Sequence, residues 1–489
     1  MDRGRSALAT PHAQRSSLRL RISIVSQRNT TKFMGTDLAR LSSISLPDDG
    51  DLTWLPAWRI RELVQSRECS PVEVVEHFLE RIDELQPRLH GFRTLDAEGA
   101  RRQARLAEAA VMRGDTLGPL HGVPVAIKQI LAIKGLPWVD MGRDVGIAVR
   151  DSVEVERLRS AGAMIIGATV AGLTAREFGD SDRMPLNPWD TDRVCGDSSS
   201  GSACVASSAM VPLAIGGDGA GSTRAPAAFC GQIGLHPTRG RVPSFEWSTL
   251  QSRPKTTYGP IARDVRDAAT VMSVLAGPDG RDMMCLQDDP PDYLALIDHD
   301  VAGMRLAWTG DFGYGKQFYV SETPEVIDTV YRTAARLRDI GVVLEPTDKP
   351  FEPPFWAGNR WTASDVAVNS DYLVGFEPPT RDEIALARDI RRSIWTMFRA
   401  ITASNDFIIT PTTLEIAPTR WEWRDNGITE DFSGPFLAMT AVANLLGWPA
   451  LTVPAGFVNG MPVGLQIIGR PDSEPKMFQL AQAIMAVQQ

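Results

Sequence analysis

Two runs rich in glycine and serine, and one lysine, carry the chemistry this chain could perform. Gly196-Asp197-Ser198-Ser199-Ser200-Gly201-Ser202 opens a small apolar, helix-like stretch. A strand then leads to Gly216-Gly217-Asp218-Gly219-Ala220-Gly221-Ser222-Thr223-Arg224. Glycines lack Cβ, so successive backbone N–H groups can converge on one point and hold a tetrahedral oxyanion. A serine at the end of such a nest is a candidate nucleophile, although most Gly/Ser-rich runs are plain turns. Its hydroxyl is too weakly acidic to attack an amide unaided, so a base must lie elsewhere in the chain. A lysine serves only when neutral, and burial lowers its pKa by penalising the ammonium form. Lys128 follows directly on the apolar run Val123 to Ile127, which supplies that burial; Lys134, the next lysine, does not. A lysine snorkelling at a strand end is the competing reading.

Other chemistries lose ground on spacing. His12, His77, His90, His121, His236 and His299 make no HExxH or Cys/His ligand set, so neither a zinc hydrolase nor a bound metal is expected. No Walker-type GxxxxGK run and no GxGxxG turn occurs, which removes ATP and NAD and leaves no cofactor expected. Gly196-Asp197-Ser198 resembles the nucleophile segment of chymotrypsin-like proteases, but no upstream Ala-Ala-His-Cys element accompanies it.

The elements that must position these residues belong to an ordinary globular chain of 489 residues, 43% hydrophobic and 23% charged. Disorder, collagen and coiled coil are excluded. Cys69, Cys195, Cys204, Cys230 and Cys285 form no CxxC pair and no disulfide framework, which points to a reducing, cytoplasmic compartment. Residues 1–33 hold seven basic side chains against Asp2, a net +6, leaving −15 for the remainder of a chain at −9. A body that acidic repels phosphate backbones, so no nucleic-acid partner is expected. The basic arm reads as disordered or as an upstream-start extension before Met34, with residues 34–489 as one catalytic domain. Phe432 to Gly469 carries no charge, but Pro435, Pro449, Pro454 and Pro462 cut it into pieces shorter than the ~20 residues of a bilayer helix, so no membrane span is expected.

Ser70, Pro71 and Glu73 stand at N-cap, N1 and N3 of a helix that Pro87 is expected to end, and a second helix is predicted from Ala97 to Met112. Short apolar runs read as buried strands: Val123 to Ile130, Ala163 to Ala168, Val211 to Gly216, Arg305 to Thr309, Phe407 to Thr410, Leu451 to Val453 and Val463 to Ile468. Helical patterns between them, such as Val153 to Ser160 and Ala268 to Leu275, predict an α/β fold: one large mixed, mostly parallel sheet with helices on both faces. From about Pro278 to Glu430 the chain is irregular and concentrates Trp308, Trp356, Trp361, Trp395, Trp421 and Trp423. That region is read as an elaboration packed over the sheet that varies with substrate, around core motifs at 118–238.

Together these segments resemble the amidase signature family. Gly118-Pro119-Leu120-His121-Gly122-Val123-Pro124-Val125-Ala126-Ile127-Lys128 looks like its catalytic-lysine strand, and Gly196 to Ser202 like its Gly/Ser-rich element. Gly219 to Arg224 with Pro226 to Thr238 match its nucleophile segment and the strand beyond, and Gly447 to Pro454 and Gly460 to Arg470 its closing strands. The likeness runs from Leu52 to the C-terminus. It implies a Ser-Ser-Lys triad in which Ser222 is the nucleophile, Ser198, held by a cis peptide bond, is the bridge, and Lys128 is the base. It further implies an oxyanion site at Gly219, Ala220 and Gly221 up to the Ser222 amide, with Ser199, Asp218 and Arg224 in support.

Four departures from the family pattern bear on this. Asp197 and Ser200 replace two glycines of Gly-Gly-Ser-Ser-Gly-Gly-Ser, Ala220 adds a methyl group to the nest, and Gln129 stands where Asp is common. Alanine is strained there only at positive φ. Gln129 removes a negative charge that would favour the ammonium form of Lys128. The resemblance implies a cofactor-independent hydrolase acting on a small-molecule linear carboxamide, aryl or bulky amides included, with a homodimer left open. A carbamate or ester hydrolase on the same triad, and the glutaminase subunit of a tRNA-dependent amidotransferase, stand as alternatives.

Overall fold

Apolar runs bounded by glycine and proline become the strands that carry the site. The computed structural model describes residues 51–140, 143–171, 184–244, 256–347, 380–426 and 436–488. Its strands, in chain order, are β1 (Phe92–Leu95), β2 (Pro124–Lys128), β3 (Pro137–Asp140), β4 (Arg143–Ile147), β5 (Met164–Thr169), β6 (Leu186–Asn187), β7 (Asp190–Val194) and β8 (Leu213–Asp218). Then come β9 (Ile233–His236), β10 (Thr257–Ala262), β11 (Arg305–Trp308), β12 (Val343–Pro346), β13 (Phe407–Pro411), β14 (Ala450–Val458) and β15 (Met461–Ile468). Eleven of them form one sheet in the order β1-β5-β2-β8-β10-β9-β14-β15-β13-β11-β12, while β3 with β4 and β6 with β7 make two separate ribbons. Strands β2, β5, β8, β9, β10, β13 and β15 are buried along their whole length, because helices cover both faces.

The sheet is mixed and helix-flanked, as expected, but its ten pairings divide into four parallel and six antiparallel. Parallel pairing is therefore not the majority. A continuous apolar run reports burial on both faces and says nothing of direction, and the block from β8 through β13 alternates throughout.

Local chemistry sets the helix ends. Ser70 and Glu73 form the reciprocal capping box of the Pro71–Leu89 helix. Pro87 does not end that helix: it sits inside the last turn, and the chain leaves two residues later through left-handed His90. The Ala57–Ser66 helix has Pro56 at its N-cap and no capping side chain of its own; Asp267 supplies the cap from 210 residues away, accepting from the Ala57 amide at 2.7 Å and from Trp58 at 2.8 Å.

The region from Pro278 to Glu430 is built into the sheet and is not only packed over it. It adds β11, β12 and β13 to one end of the sheet, together with the Thr323–Arg336 and Arg381–Ile401 helices. It thus extends the sheet and does not merely cover it. Trp308 and Trp423 are buried, Trp395 and Trp421 are exposed, and Trp356 and Trp361 lie outside the described residues, as do Met34 and residues 1–33. No described helix is long and apolar enough to cross a membrane.

Candidate active site

Strand alternation aims the lysine. On β2, Val125 and Ile127 enter the core on one side of the sheet, whereas Ala126 enters the core on the other, beside Ala203, Cys204, Val205 and Ala206 of the Ser200–Ser207 helix. Lys128, next in the alternation, shares the Ala126 face. Its side chain therefore meets the residues just before that helix: Nζ lies 2.7 Å from Ser198 Oγ, 3.0 Å from Ser199 Oγ and 3.0 Å from the Gly217 carbonyl oxygen on β8. Lys128 is only 1% exposed, whereas Ser198 and Ser222 are each 8% exposed at the edge of the buried cluster.

The hydrogen-bond inventory separates the two serines. An ammonium group can donate to all three contacts, whereas a neutral amine donates to two and must receive from the third. The Gly217 carbonyl has no proton to give. Ser199 Oγ receives from the Gly217 amide at 3.1 Å and gives its own proton to the Gly217 carbonyl at 3.3 Å. Of the two hydroxyls, Ser198 is the one whose proton is not already committed to the Gly217 carbonyl.

The nest is wound around Asp218, which ends β8. Its carboxylate accepts from the Gly221 amide at 2.7 Å, from Arg224 Nε at 2.9 Å and Nη2 at 3.1 Å, and from Asn444 Nδ2 at 2.9 Å. Arg224 spends its remaining donors on the Thr440 carbonyl, Gln466 and Asn444. Asp218, Arg224 and His236 are all fully buried. Burial alone raises an acid, but the Arg224 guanidinium and the hydrogen bonds reverse that, and Asp218 is held well below the usual carboxylate range. Burial pushes His236 down to about 3, so its imidazole is neutral. Since Gly221 N–H is committed to Asp218, the oxyanion expectation narrows to the amides of Gly219, Ala220 and Ser222, which have no acceptor among the described residues.

The Amidase family matches residues 73–383 and 378–478. The chain belongs to the amidase signature family. It is 31% identical over 483 residues to one subunit of the glutamyl-tRNA(Gln) amidotransferase of Moorella thermoacetica, covering 88% of this chain and 96% of that one. An acylamidase of Rhodococcus erythropolis is 30% identical over 473 residues, covering 89% and 96%. A bacterial aryl acylamidase of the amidase signature family superposes with a TM-score of 0.75 at 24% identity, covering 89% of this chain and 96% of that one, which bears on fold alone.

Against the family pattern, the departures sort themselves. Ala220 is not among the residues with positive φ, so its methyl group is unstrained; the left-handed demand falls on Gly221 at φ +134°. Ser200 is the first residue of its helix, where serine is ordinary. No cis peptide bond occurs among the described residues, so the cis bond expected at Ser198 is absent and the peptides on both sides of it are trans. A non-proline cis bond costs about 2.5–4 kcal/mol, and Ser199 at φ −107° and ψ 25° brings both hydroxyls to Lys128 without one. Gln129 is buried, as a site residue would be, but a buried carboxyl remains nearby in Asp197, the residue before Ser198, where the Lys128 charge acts on it.

Sequence reasoning missed Thr440, Asn444 and Gln466, which hold Arg224 across 216 to 242 residues of chain. Their signal lay in the uncharged C-terminal run, where buried amides have to find partners. A Cβ at Gly221 would strike the Thr440 side chain, whose hydroxyl donates to the Ala220 carbonyl at 2.7 Å. Gly221→Ala is therefore expected to lower kcat/KM by roughly 10²–10³-fold through displaced oxyanion donors. Ala220→Gly assayed beside it should stay within a few-fold of the parent.

Proposed function

We propose that this amidohydrolase cleaves a small-molecule linear carboxamide by acyl transfer to Ser222. Neutral Lys128 draws the proton of Ser198, Ser198 draws that of Ser222, and Ser222 Oγ bonds to the carbonyl carbon. The amides of Gly219, Ala220 and Ser222 receive the oxyanion, and Ser199 with the Asp218–Arg224 pair holds the base and the loop. As the C–N bond breaks, the lysine proton returns through Ser198 to the leaving nitrogen. Water then attacks the acyl ester by the same relay and frees the acid and Ser222.

The observation that carries this reading is a lysine amine removed from solvent and 2.7 Å from the hydroxyl of Ser198. A fluorophosphonate should add once to the intact chain, with no adduct on Ser222→Ala by intact mass; labelling that survives in the variant refutes the nucleophile assignment. Matched anilides, esters and carbamates then rank the acyl centres the same constellation can attack.

The amidotransferase relative favours a second reading, a glutaminase that works within a complex. The acylamidase relative favours activity of the chain alone. Purified protein assayed on anilides and on glutamine decides between them: glutamine turnover that requires a further protein component supports the second.

A further inference from the structure

Asp197 brings a carboxyl group into the one place where the proposed mechanism depends on an uncharged amine. Its side chain is 4% exposed. The backbone around it is pinned: Gly196 before it takes φ +98° against Pro226 and Phe229, and its own carbonyl accepts from the Ser200 amide at 2.6 Å. The next residue is Ser198, in contact with Lys128. Asp197 Oδ1 is buried with no hydrogen-bond partner among the described residues, which a merely structural carboxylate seldom tolerates.

The titratable and charged groups on the described elements around it are as follows. β2 brings Lys128, whose charge acts on Asp197. The Ser200–Ser207 helix brings hydroxyls and the Cys204 thiol. The Arg224–Phe229 helix brings Arg224, spent on Asp218, Asn444, Gln466 and the Thr440 carbonyl, and β8 brings Asp218, enclosed by Arg224, Asn444 and neutral His236. Burial raises the Asp197 carboxyl to about 6, while Lys128, the Ser198 amide and the Ser222 hydroxyl pull it back.

Building on the triad reading, we propose that Asp197 is a positioning residue that sets the pH range of this enzyme: its carboxylate stabilises Lys128 as ammonium, so that the base is released only at more alkaline pH. The sign follows from charge. Above the Asp197 titration the pair is Lys⁺/Asp⁻, and an opposite charge nearby in a buried site favours the protonated amine by roughly 1–3 pH units. Removing the carboxylate takes away one stabiliser of the ammonium form while burial continues to penalise it, which lowers the pH at which the lysine becomes a base.

The test is kcat/KM against pH, on an anilide the chain turns over, for the parent, Asp197→Asn and Asp197→Gly. The rising limb should move down by about one pH unit or more in both variants, giving about tenfold higher activity on its acid side relative to each plateau. Thermal midpoints at pH 8 should rise by about 3 °C, since both variants remove a carboxyl whose ionised form burial disfavours. A limb that stays within 0.3 unit, roughly a twofold effect on that flank, overturns the proposal. So does a uniform loss at every pH, which would place Asp197 on Ser222 and not on Lys128. Should a variant fail to fold, the other serves, and Asp197→Glu must keep the alkaline limb. Lys128→Met, run in parallel, separates the two levels: if it leaves the limb in place the triad reading fails, whereas if it abolishes turnover and residue 197 does not move the limb, only this inference fails.

Discussion

Lys128→Met is expected to cut kcat/KM by roughly 10⁴-fold while leaving the fold intact. Methionine matches the lysine stem in length and fills the same buried space at the end of β2, between β5 and β8. The contacts that remain are not stranded, because Ser199 still gives its proton to the Gly217 carbonyl and receives from the Gly217 amide. Asp197 loses the cation that draws its pKa down, so it takes up a proton and no bare charge is left in the core. The thermal midpoint should therefore stay within a few degrees of the parent. On the proposed relay turnover should fall steeply, because neither the Gly217 carbonyl nor Ser199 can act as a base toward Ser198 in place of the amine. Steady-state kinetics beside a melting curve make the check, and a variant within tenfold of the parent rate removes Lys128 from the role of base.

That the lysine could be found at all reflects where physics leaves a mark on sequence. Burial on both faces writes a run such as Val123 to Ile127 in plain view, and β2, β5, β8, β13 and β15 all carry one. Phe92–Leu95 and Val343–Pro346 are four-residue strands with partly exposed patterns, and Thr257–Ala262 is interrupted by glycine and proline, so periodicity passes them by. The same limit governs the site. Ser198, Ser222 and Lys128 announce themselves by motif, but what closes the loop around Asp218 comes from Thr440, Asn444 and Gln466, and no local pattern encodes a contact that distant. Asp197 is visible in the sequence only as a residue out of place among glycines, and its burial beside the Lys128–Ser198 contact emerges only from the fold. The commitment of the Gly221 amide to Asp218, which removes one of the four expected oxyanion donors, depends on a turn that only coordinates display.

The Asp218–Arg224 pair offers the second large effect. Both side chains are 0% exposed, with Nε 2.9 Å from Oδ2, so removing one partner leaves the other charge without solvent or counter-ion. Asp218→Ala should cost about 3–5 kcal/mol, read as a thermal midpoint lower by about 4 °C, because the guanidinium stays buried among Thr440, Asn444 and Gln466. It should also abolish activity, since Gly221 and the amides around it lose the carboxylate that shapes the loop. Replacing both members by apolar residues, as in Asp218→Leu with Arg224→Met, should recover stability without recovering turnover, a coupling that a double-mutant cycle reads directly. Acid titration supplies an independent sign. A carboxyl depressed in the folded state contributes stability that is complete above its unfolded pKa near 3.8 and is lost only as pH falls through the lower folded value. His236, pushed down to about 3, loses stability for the protein over a higher window, as pH falls from about 6.5 toward 3, because the unfolded imidazole gains a proton the folded one refuses. Two acid steps are therefore expected in the parent, and Asp218→Asn should erase the lower one. Double-mutant additivity, or a parent and an Asn variant with superimposable acid profiles, contradicts the assignment of this pair as the clasp of the nucleophile loop.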